Sequence, residues 1–418
     1  MDGSPYTPGA GHRPPVLAGR DELLRAWRTG LNDVTATGRQ RAPDVILTAP
    51  RGAGKTSAVL AFQDLSQEQG FEVVRLQAAS GNAGVVDSLL RRARARAEGG
   101  PGPWQRAQRA FERIGGFTLP VVGGGISLRD GQQTPAPTRA SPEDLADALA
   151  GLAREVRKDH SQGGVLITVD EIQAADTSDL TLLAAALQGL NTEYPDAPVM
   201  FAASGLPQTF EVLINAGVTH PDRLFKFRPI PLVLGLDDAR YAIVEAARKH
   251  AVAWEPDAAD MIVEICQGYP AHLQVFADQT WMAAHGPAVI TVADAQAGIT
   301  AGTETLERES LGPRFDGLAH RERELLTALV ALPSLTASAA LAITLGRPQQ
   351  SLSQVRDTLI AKGEVYAPRR GELALTVPVF APYLRANYEA ARQRSSSGPE
   401  LLPLEEMQRN LEAFKRSR

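Results

Sequence analysis

The first residues that could do chemistry are two glycines, a lysine and a threonine in the run APRGAGKT, residues 49–56. Several backbone N–H groups must point at a triphosphate together, and glycine lets the backbone come close enough for that. A lysine beside them neutralises the outer phosphates, and a hydroxyl group can ligate Mg²⁺. The run therefore predicts a site for ATP and Mg²⁺ formed by Gly52, Ala53, Gly54, Lys55, Thr56 and Ser57.

Two adjacent carboxylates, Asp170 and Glu171, end the apolar run VLITV. Magnesium prefers hard oxygen ligands, and a neighbouring carboxylate can accept a proton from an attacking water molecule. Taken alone, such a pair is often only a solvated strand end. Together with Lys55, it predicts that Asp170 and Thr56 hold the metal and that Glu171 is the general base of hydrolysis.

The elements that must position these residues form an alternating pattern between about Arg20 and Val233. Continuous apolar strands separated by helices are typical of a parallel sheet covered on both faces, which is an α/β fold. Ligands bind such sheets at the carboxyl ends of the strands, where both motifs lie. We predict a P-loop core over 14–233, with strands at 44–49, 71–76, 164–170, 198–204 and 224–232.

Two segments depart from this alternation. Residues 99–137 combine an amphipathic stretch with glycine-rich sequence, which predicts a surface insertion made of a helix and a hairpin. Residues 1–13 are rich in Pro and Gly and lack the basic and apolar regions of a secretory signal. They are predicted to be a disordered leader.

The character becomes helical after Leu234. Four periodic stretches predict a helical lid over 234–302, followed by a charged linker over 303–317. Three helices and two short strands predict a winged helix over 318–390, with Arg369 and Arg370 in the turn between the strands. The remainder, 391–418, is predicted to be a polar tail with a short amphipathic helix.

The composition excludes several classes of protein. A chain of 418 residues exceeds one ordinary core, and no apolar run is long enough to span a membrane. The net charge of −5 argues against a general nucleic-acid coat, although residues 312–394 carry eleven basic against seven acidic side chains. The single cysteine, Cys266, is typical of a reducing cytoplasm and leaves a structural zinc site unsupported.

These motifs resemble those of AAA+ and STAND-type P-loop ATPases, especially the origin-recognition-like (initiator-type) branch with a C-terminal winged helix. The resemblance covers about residues 15–388 and includes the run VLAGRDE at 16–22, similar to a box whose backbone contacts adenine. It implies that Ser204 orients the attacking water or the γ-phosphate. It also implies that Pro270 packs on adenine, and that Arg223 is an arginine finger completing a neighbour's site in a self-associated protein.

The chain departs from the family pattern at two places. Ala49 stands where the usual first glycine of the loop lies, and the sensor-2 arginine that many members carry after Pro270 is replaced by Ala271 and His272. A histidine there can face the phosphates or pack within the lid, and packing is the favoured interpretation. ATP binding is therefore better supported by the sequence than rapid hydrolysis.

The predicted winged helix has two polar surfaces that suit DNA. Its third helix would turn Gln350, Ser353, Gln354 and Arg356 outward toward a major groove, and its turn would place Arg369 and Arg370 near a phosphate backbone. The leading hypothesis is thus an ATP-dependent switch on duplex DNA. The alternative is a STAND-like signalling or defence switch whose winged helix binds protein. A small-molecule kinase is disfavoured, since no acceptor pocket is evident.

Overall fold

The computed structural model describes residues 3–9, 11–39, 44–79, 84–114, 140–284, 288–331, 336–369, 371–394 and 402–416. They form two compact units. The core unit comprises Arg20–Thr48 and Lys55–Ile230, and the C-terminal unit comprises Met1–Gly19, Ala49–Gly54 and Pro231–Arg418. Within the described residues, no helix is both long enough and apolar enough to cross a lipid bilayer.

A five-stranded sheet in the order β2-β3-β4-β1-β5 organises the core unit, and all its pairings are parallel. This confirms the predicted α/β fold. The first four strands begin and end within one residue of the predicted bounds, whereas β5 ends at Pro229 rather than 232. The Ile230 N–H still donates to the Thr48 carbonyl at 2.8 Å, and Pro231 then has no N–H to continue the ladder. The strands are β1 Asp44–Thr48, β2 Glu72–Gln77, β3 Val165–Asp170, β4 Val199–Gly205 and β5 Phe225–Pro229.

Eight helices in the described part of the core unit cover this sheet. They are α1 Asp21–Thr37, α2 Lys55–Glu68, α3 Val85–Glu98, α4 Pro103–Glu112, α5 Pro142–Asp159, α6 Thr177–Glu193, α7 Thr209–Asn215 and α8 Pro221–Leu224. Ile167 and Val169 of β3 pack with α3–α6, while Thr168 points to the other face and accepts a hydrogen bond from Gln63 of α2 at 2.8 Å. Because alternate residues of a strand point to opposite faces, α2 packs on one face of the sheet and α3–α6 on the other.

The helical half of the predicted insertion belongs to the core rather than to the surface. Trp104 and Phe111 of α4 are buried, and the Trp104 indole donates to Glu72 of β2 at 3.0 Å. The amphipathic spacing predicted the helix but not that its apolar face is covered by α3 and α5. The predicted hairpin falls in 115–139, outside the described residues.

The C-terminal unit begins with four lid helices and a small parallel pair of strands. These are α9 Leu236–Arg248, β6 Ala253–Trp254, α10 Pro256–Cys266, α11 Pro270–Ala283, β7 Val289–Ile290 and α12 Val292–Leu306. The leader predicted to be disordered packs here. Tyr6 is buried, donates its hydroxyl to the Ile243 carbonyl at 2.8 Å, and accepts from the Trp254 indole at 3.0 Å. One aromatic anchor outweighs the Pro- and Gly-rich composition around it.

The predicted linker is also ordered, because the chain stays helical from α12 through a π-helical turn at Glu307–Leu311 into α13, Gly312–Asp316. Leu306, Leu311 and Phe315 are buried. The wider π turn keeps these apolar residues on one side despite their uneven spacing. The intervening charges hid this pattern in the sequence.

The last part of the unit joins helices to a three-stranded antiparallel sheet in the order β8-β10-β9. Helix α17 crosses the predicted boundary at 390, and α18 buries Met407 and Leu411 against α14 and α15. The elements are α14 His320–Ala331, β8 Thr336–Ala337, α15 Ser338–Thr344, α16 Gln349–Lys362, β9 Val365–Tyr366, β10 Glu372–Leu375, α17 Phe380–Arg394 and α18 Leu404–Arg416.

Candidate functional site

The glycine-rich loop between β1 and α2 has the backbone that a phosphate site needs. Gly52 and Gly54 have φ angles of +78° and +85°, a region that favours glycine, with the buried Ala53 between them. Such alternation turns successive N–H groups toward one concavity. Helix α2 begins at Lys55, so the N–H groups of Thr56 and Ser57 in its first turn follow directly.

The hydroxyl of Thr56 and the carboxylate of Asp170 meet in the core unit. Thr56 Oγ1 donates to Asp170 Oδ2 at 2.9 Å. Asp170 ends β3 two residues after Thr168, so both side chains lie on the face of the sheet that α2 covers. This alternation of side chains along a strand explains why Asp170 contacts Thr56 of α2. A hydroxyl and a carboxylate are both hard oxygen donors, and Mg²⁺ binds through few protein ligands with water and phosphate completing its shell. The pair therefore fits the predicted metal.

Ser204 completes this cluster from the strand between β1 and β3. Its hydroxyl donates to Asp170 Oδ1, and its side chain is fully buried. The register pairs Leu47 with Ser204 and Val169 with Ala203, which aligns the ends of the three strands. The sheet order thus explains why a residue on β4 reaches the carboxylate on β3.

Glu171 leaves the strand in an unusual conformation. Its φ of +54° lies in the left-handed region, where residues other than glycine are uncommon. Its N–H lies 3.2 Å from Asp170 Oδ1 and 3.3 Å from Ser204 Oγ. Its carboxylate accepts a hydrogen bond from Gln173 Nε2 at 2.6 Å. Sequence reasoning missed Gln173; its position two residues after the predicted base was the available signal.

Comparison with known proteins agrees with this geometry. The family model described as an AAA ATPase domain matches residues 16–201. Residues 16–201 form an AAA ATPase domain. A second model, a domain of unknown function (DUF8462), matches residues 308–384. No curated protein matches the sequence significantly.

Two solved structures show the same AAA+ fold. A Walker-type ATPase of Pyrococcus abyssi is 16% identical with a TM-score of 0.58, and the alignment covers 89% of this chain and 97% of that one. The ORC2 protein of Aeropyrum pernix, solved as ADPNP and ADP complexes, is 15% identical with a TM-score of 0.54 and 98% coverage of both chains. At these identities the likeness concerns the fold.

Other predicted site residues of the AAA+ domain and its lid lie on separate elements. Arg223 is exposed on the short helix α8 of the core unit. Pro270 is half-buried at the first position of α11 in the C-terminal unit. His272 is buried edge-on to the Tyr269 ring, and burial lowers the pKa of His272 to about 4. A neutral, packed histidine at this place agrees with the favoured interpretation.

The side chains predicted to face DNA are only partly free. Gln350, Gln354 and Arg369 are exposed, whereas Ser353 and Arg356 are half-buried. The Arg356 guanidinium pairs with its neighbour Asp357 at 2.8 Å. Arg370 lies outside the described residues.

Within the C-terminal unit, Gly52 is in close contact with Tyr269. The Tyr269 hydroxyl donates to the Arg51 carbonyl at 2.9 Å, and burial raises the pKa of Tyr269 to about 12, so the donor keeps its proton at neutral pH. A side chain at Gly52 would overlap that hydroxyl, while one at Gly54 would meet open space.

We therefore expect Gly52→Ala to destabilise the protein more than Gly54→Ala. Both changes put alanine at a positive φ, but only Gly52→Ala adds a clash, and overpacking costs roughly 1–3 kcal/mol. Urea unfolding measures both variants. In a Tyr269→Ala background the difference should disappear; a difference that persists there would exclude the contact as its cause.

Proposed function

We propose that this chain is a slow, Mg²⁺-dependent ATPase that works as a nucleotide-dependent switch on DNA. The observation that carries the ATPase part is the cluster of Thr56, Asp170 and Ser204, with Glu171 beside it. A hydroxyl, a metal-binding carboxylate and a second carboxylate are the groups that phosphoryl transfer to water requires. The ADPNP and ADP bound to the Aeropyrum ORC2 structure support a nucleotide in this fold.

In this proposal, Lys55 and the N–H groups of the loop bind the phosphates, while Thr56 and Asp170 hold the metal. A magnesium ion held there would supply positive charge that neutralises the phosphates. Glu171 accepts the proton of the attacking water as the water oxygen bonds to the γ-phosphorus and the bond to the ADP oxygen breaks. Ser204 orients Asp170 and, through the Glu171 N–H, the turn that carries the base.

The DNA part of the proposal rests on the C-terminal elements. Helix α14, strand β8, helices α15 and α16, and the hairpin β9–β10 follow one another in the order expected for a winged helix. Residues 312–394 carry the basic excess of an otherwise acidic chain. The exposed Arg369 lies in the hairpin turn, where a phosphate backbone would be within reach.

A protein-binding switch of the STAND kind is the second candidate. It is supported by the pairing of Arg356 with Asp357, because this ion pair offsets a positive charge that could otherwise contact DNA. The overall charge of −5 also weakens long-range attraction to a polyanion. In either candidate, the exposed Arg223 is proposed to complete the site of a neighbouring copy.

A salt titration on duplex DNA with ATP decides between the two candidates. If DNA is the partner, replacing Arg369 and Arg370 with Ala should weaken retention and reduce the log–log salt slope by about 0.9 for each lost phosphate contact. The matched control replaces the adjacent exposed arginines Arg91 and Arg92 of α3, and should leave the slope unchanged. A wild-type protein that ignores duplex DNA at low salt would favour the protein-binding switch.

A further inference from the structure

The amide of Gln173 holds the carboxylate of Glu171. Gln173 lies on the single turn of 3₁₀ helix that follows Glu171, and its Nε2 donates to Glu171 Oε2 at 2.6 Å. A charge-assisted hydrogen bond of this length is among the stronger side-chain contacts. It fixes one oxygen of the carboxylate and leaves the other, Oε1, to receive a proton.

The other end of the Gln173 amide is anchored to the segment after β4. Its Oε1 accepts from the Leu206 N–H at 3.1 Å. A backbone N–H can only donate and an ionised carboxylate can only accept, so the two partners also fix which end of the amide carries the nitrogen. A side chain at Gly205 would lie within 3.1 Å of Gln173 Oε1 and overlap the Thr209 hydroxyl, so a glycine is needed where this amide passes.

Two separate sets of hydrogen bonds connect the end of β3 with the end of β4 in this site. Ser204 contacts Asp170 directly, and Gln173 connects Glu171 to Leu206, two residues further along the same segment. The Glu171 backbone is in a left-handed conformation, which sets the direction of its side chain differently from that of a strand residue. A flexible carboxylate would sample many orientations there, and Gln173 selects one.

We propose that Gln173 is a positioning residue that aims the Glu171 carboxylate at the attacking water. The inference rests on the proposed ATP hydrolysis and adds a residue to that site. Gln173 neither touches the phosphates nor takes a proton. It acts by restricting the orientation of Glu171, which contributes to the rate because small misplacements of a reacting group are costly.

Gln173→Glu is the informative variant, because it keeps the shape and the Leu206 contact while placing a second carboxylate beside Glu171. Two carboxylates at hydrogen-bond distance share a proton to higher pH than either would alone. The ascending limb of the pH–rate profile for ATP hydrolysis should therefore shift upward by about one pH unit or more. ATP affinity should change less than about threefold, since Gln173 does not contact the nucleotide.

The control is Gln188→Glu, which adds the same charge at an exposed position of α6. Its pH–rate profile should superimpose on that of the wild type. Gln173→Ala, which frees Glu171 without adding charge, should lower kcat by about tenfold with little change in nucleotide affinity. A Gln173→Glu profile that superimposes on the Gln188→Glu profile would overturn the proposal.

A second measurement does not depend on turnover. In Gln173→Glu the folded protein retains the shared proton to higher pH than the unfolded chain, so stability toward urea should fall as pH rises. Adding Glu171→Gln removes the partner and should abolish this pH dependence. If the pH dependence of stability persists in the double variant, the two carboxylates do not share a proton and the proposal is contradicted. If the wild-type protein hydrolyses ATP no faster than Lys55→Ala, the proposed ATPase activity is contradicted instead.

Discussion

Replacing Glu171 with Gln is expected to lower ATP turnover by about 100- to 10,000-fold while nucleotide binding is retained. Glutamine keeps the size of the side chain, and its amide can still meet Gln173, but it cannot take the proton of the attacking water. Because Glu171 is half-buried beside Asp170 and Ser204, we do not expect another carboxylate to replace it as the proton acceptor. Phosphate release and equilibrium binding of a fluorescent ATP analogue measure the two effects separately.

Glu193→Gln is the matched control, because Glu193 is an exposed carboxylate at the end of α6 in the same unit. It should hydrolyse ATP like the wild type. Equal, measurable turnover in Glu171→Gln and Glu193→Gln would exclude Glu171 as the base. If even the wild type shows no turnover, the protein is better described as a nucleotide-binding switch.

Lys55→Ala should weaken ATP binding by about 10- to 150-fold, because hydrogen bonds to charged groups contribute roughly 1.5–3 kcal/mol each. Lys55 is 5% exposed at the first position of α2, so little water reaches the place that its charge occupies. Binding of the fluorescent analogue with and without Mg²⁺ gives the loss. Lys226→Ala, at an exposed position of β5, is the control for removing a lysine; unchanged affinity in Lys55→Ala would contradict the phosphate site.

The same variant tests whether Arg223 serves a neighbouring copy. Lys55→Ala protein keeps an intact Arg223, and Arg223→Ala protein keeps an intact phosphate site. If the finger acts between subunits, mixing the two should restore part of the hydrolysis that each lacks alone. A monomer by light scattering with ATP present, hydrolysing normally, would rule this arrangement out.

The strands and the third C-terminal helix were predictable because their signals are local. Continuous apolar runs bounded by turn residues predicted four strands to within one residue, and α16, Gln349–Lys362, is the predicted third helix that carries Gln350 and Gln354. The disorder of the leader was mispredicted because its order depends on distant partners. Tyr6 is held by Ile243 and Trp254, more than 230 positions away, which composition cannot reveal.

The site shows the same division between local and distant information. The parallel strands bring Thr56, Asp170 and Ser204 together by a rule that motif spacing already contains. The bond from Gln173 to Glu171 depends on a left-handed backbone at Glu171, a conformation that the residue type does not favour. Sequence reasoning could therefore place the carboxylates but not the amide that orients one of them.

The helical stretch from Val292 to Asp316 has a mechanical consequence. Straightening or breaking it at the π turn would expose Leu306, Leu311 and Phe315, at a cost of about 5–9 kcal/mol if each buried apolar side chain contributes 1.5–3 kcal/mol. That cost is comparable to the whole stability of many small domains. The lid and the elements after it are therefore joined by a rigid helical connection rather than a flexible linker. A rotation of one would move the other with it.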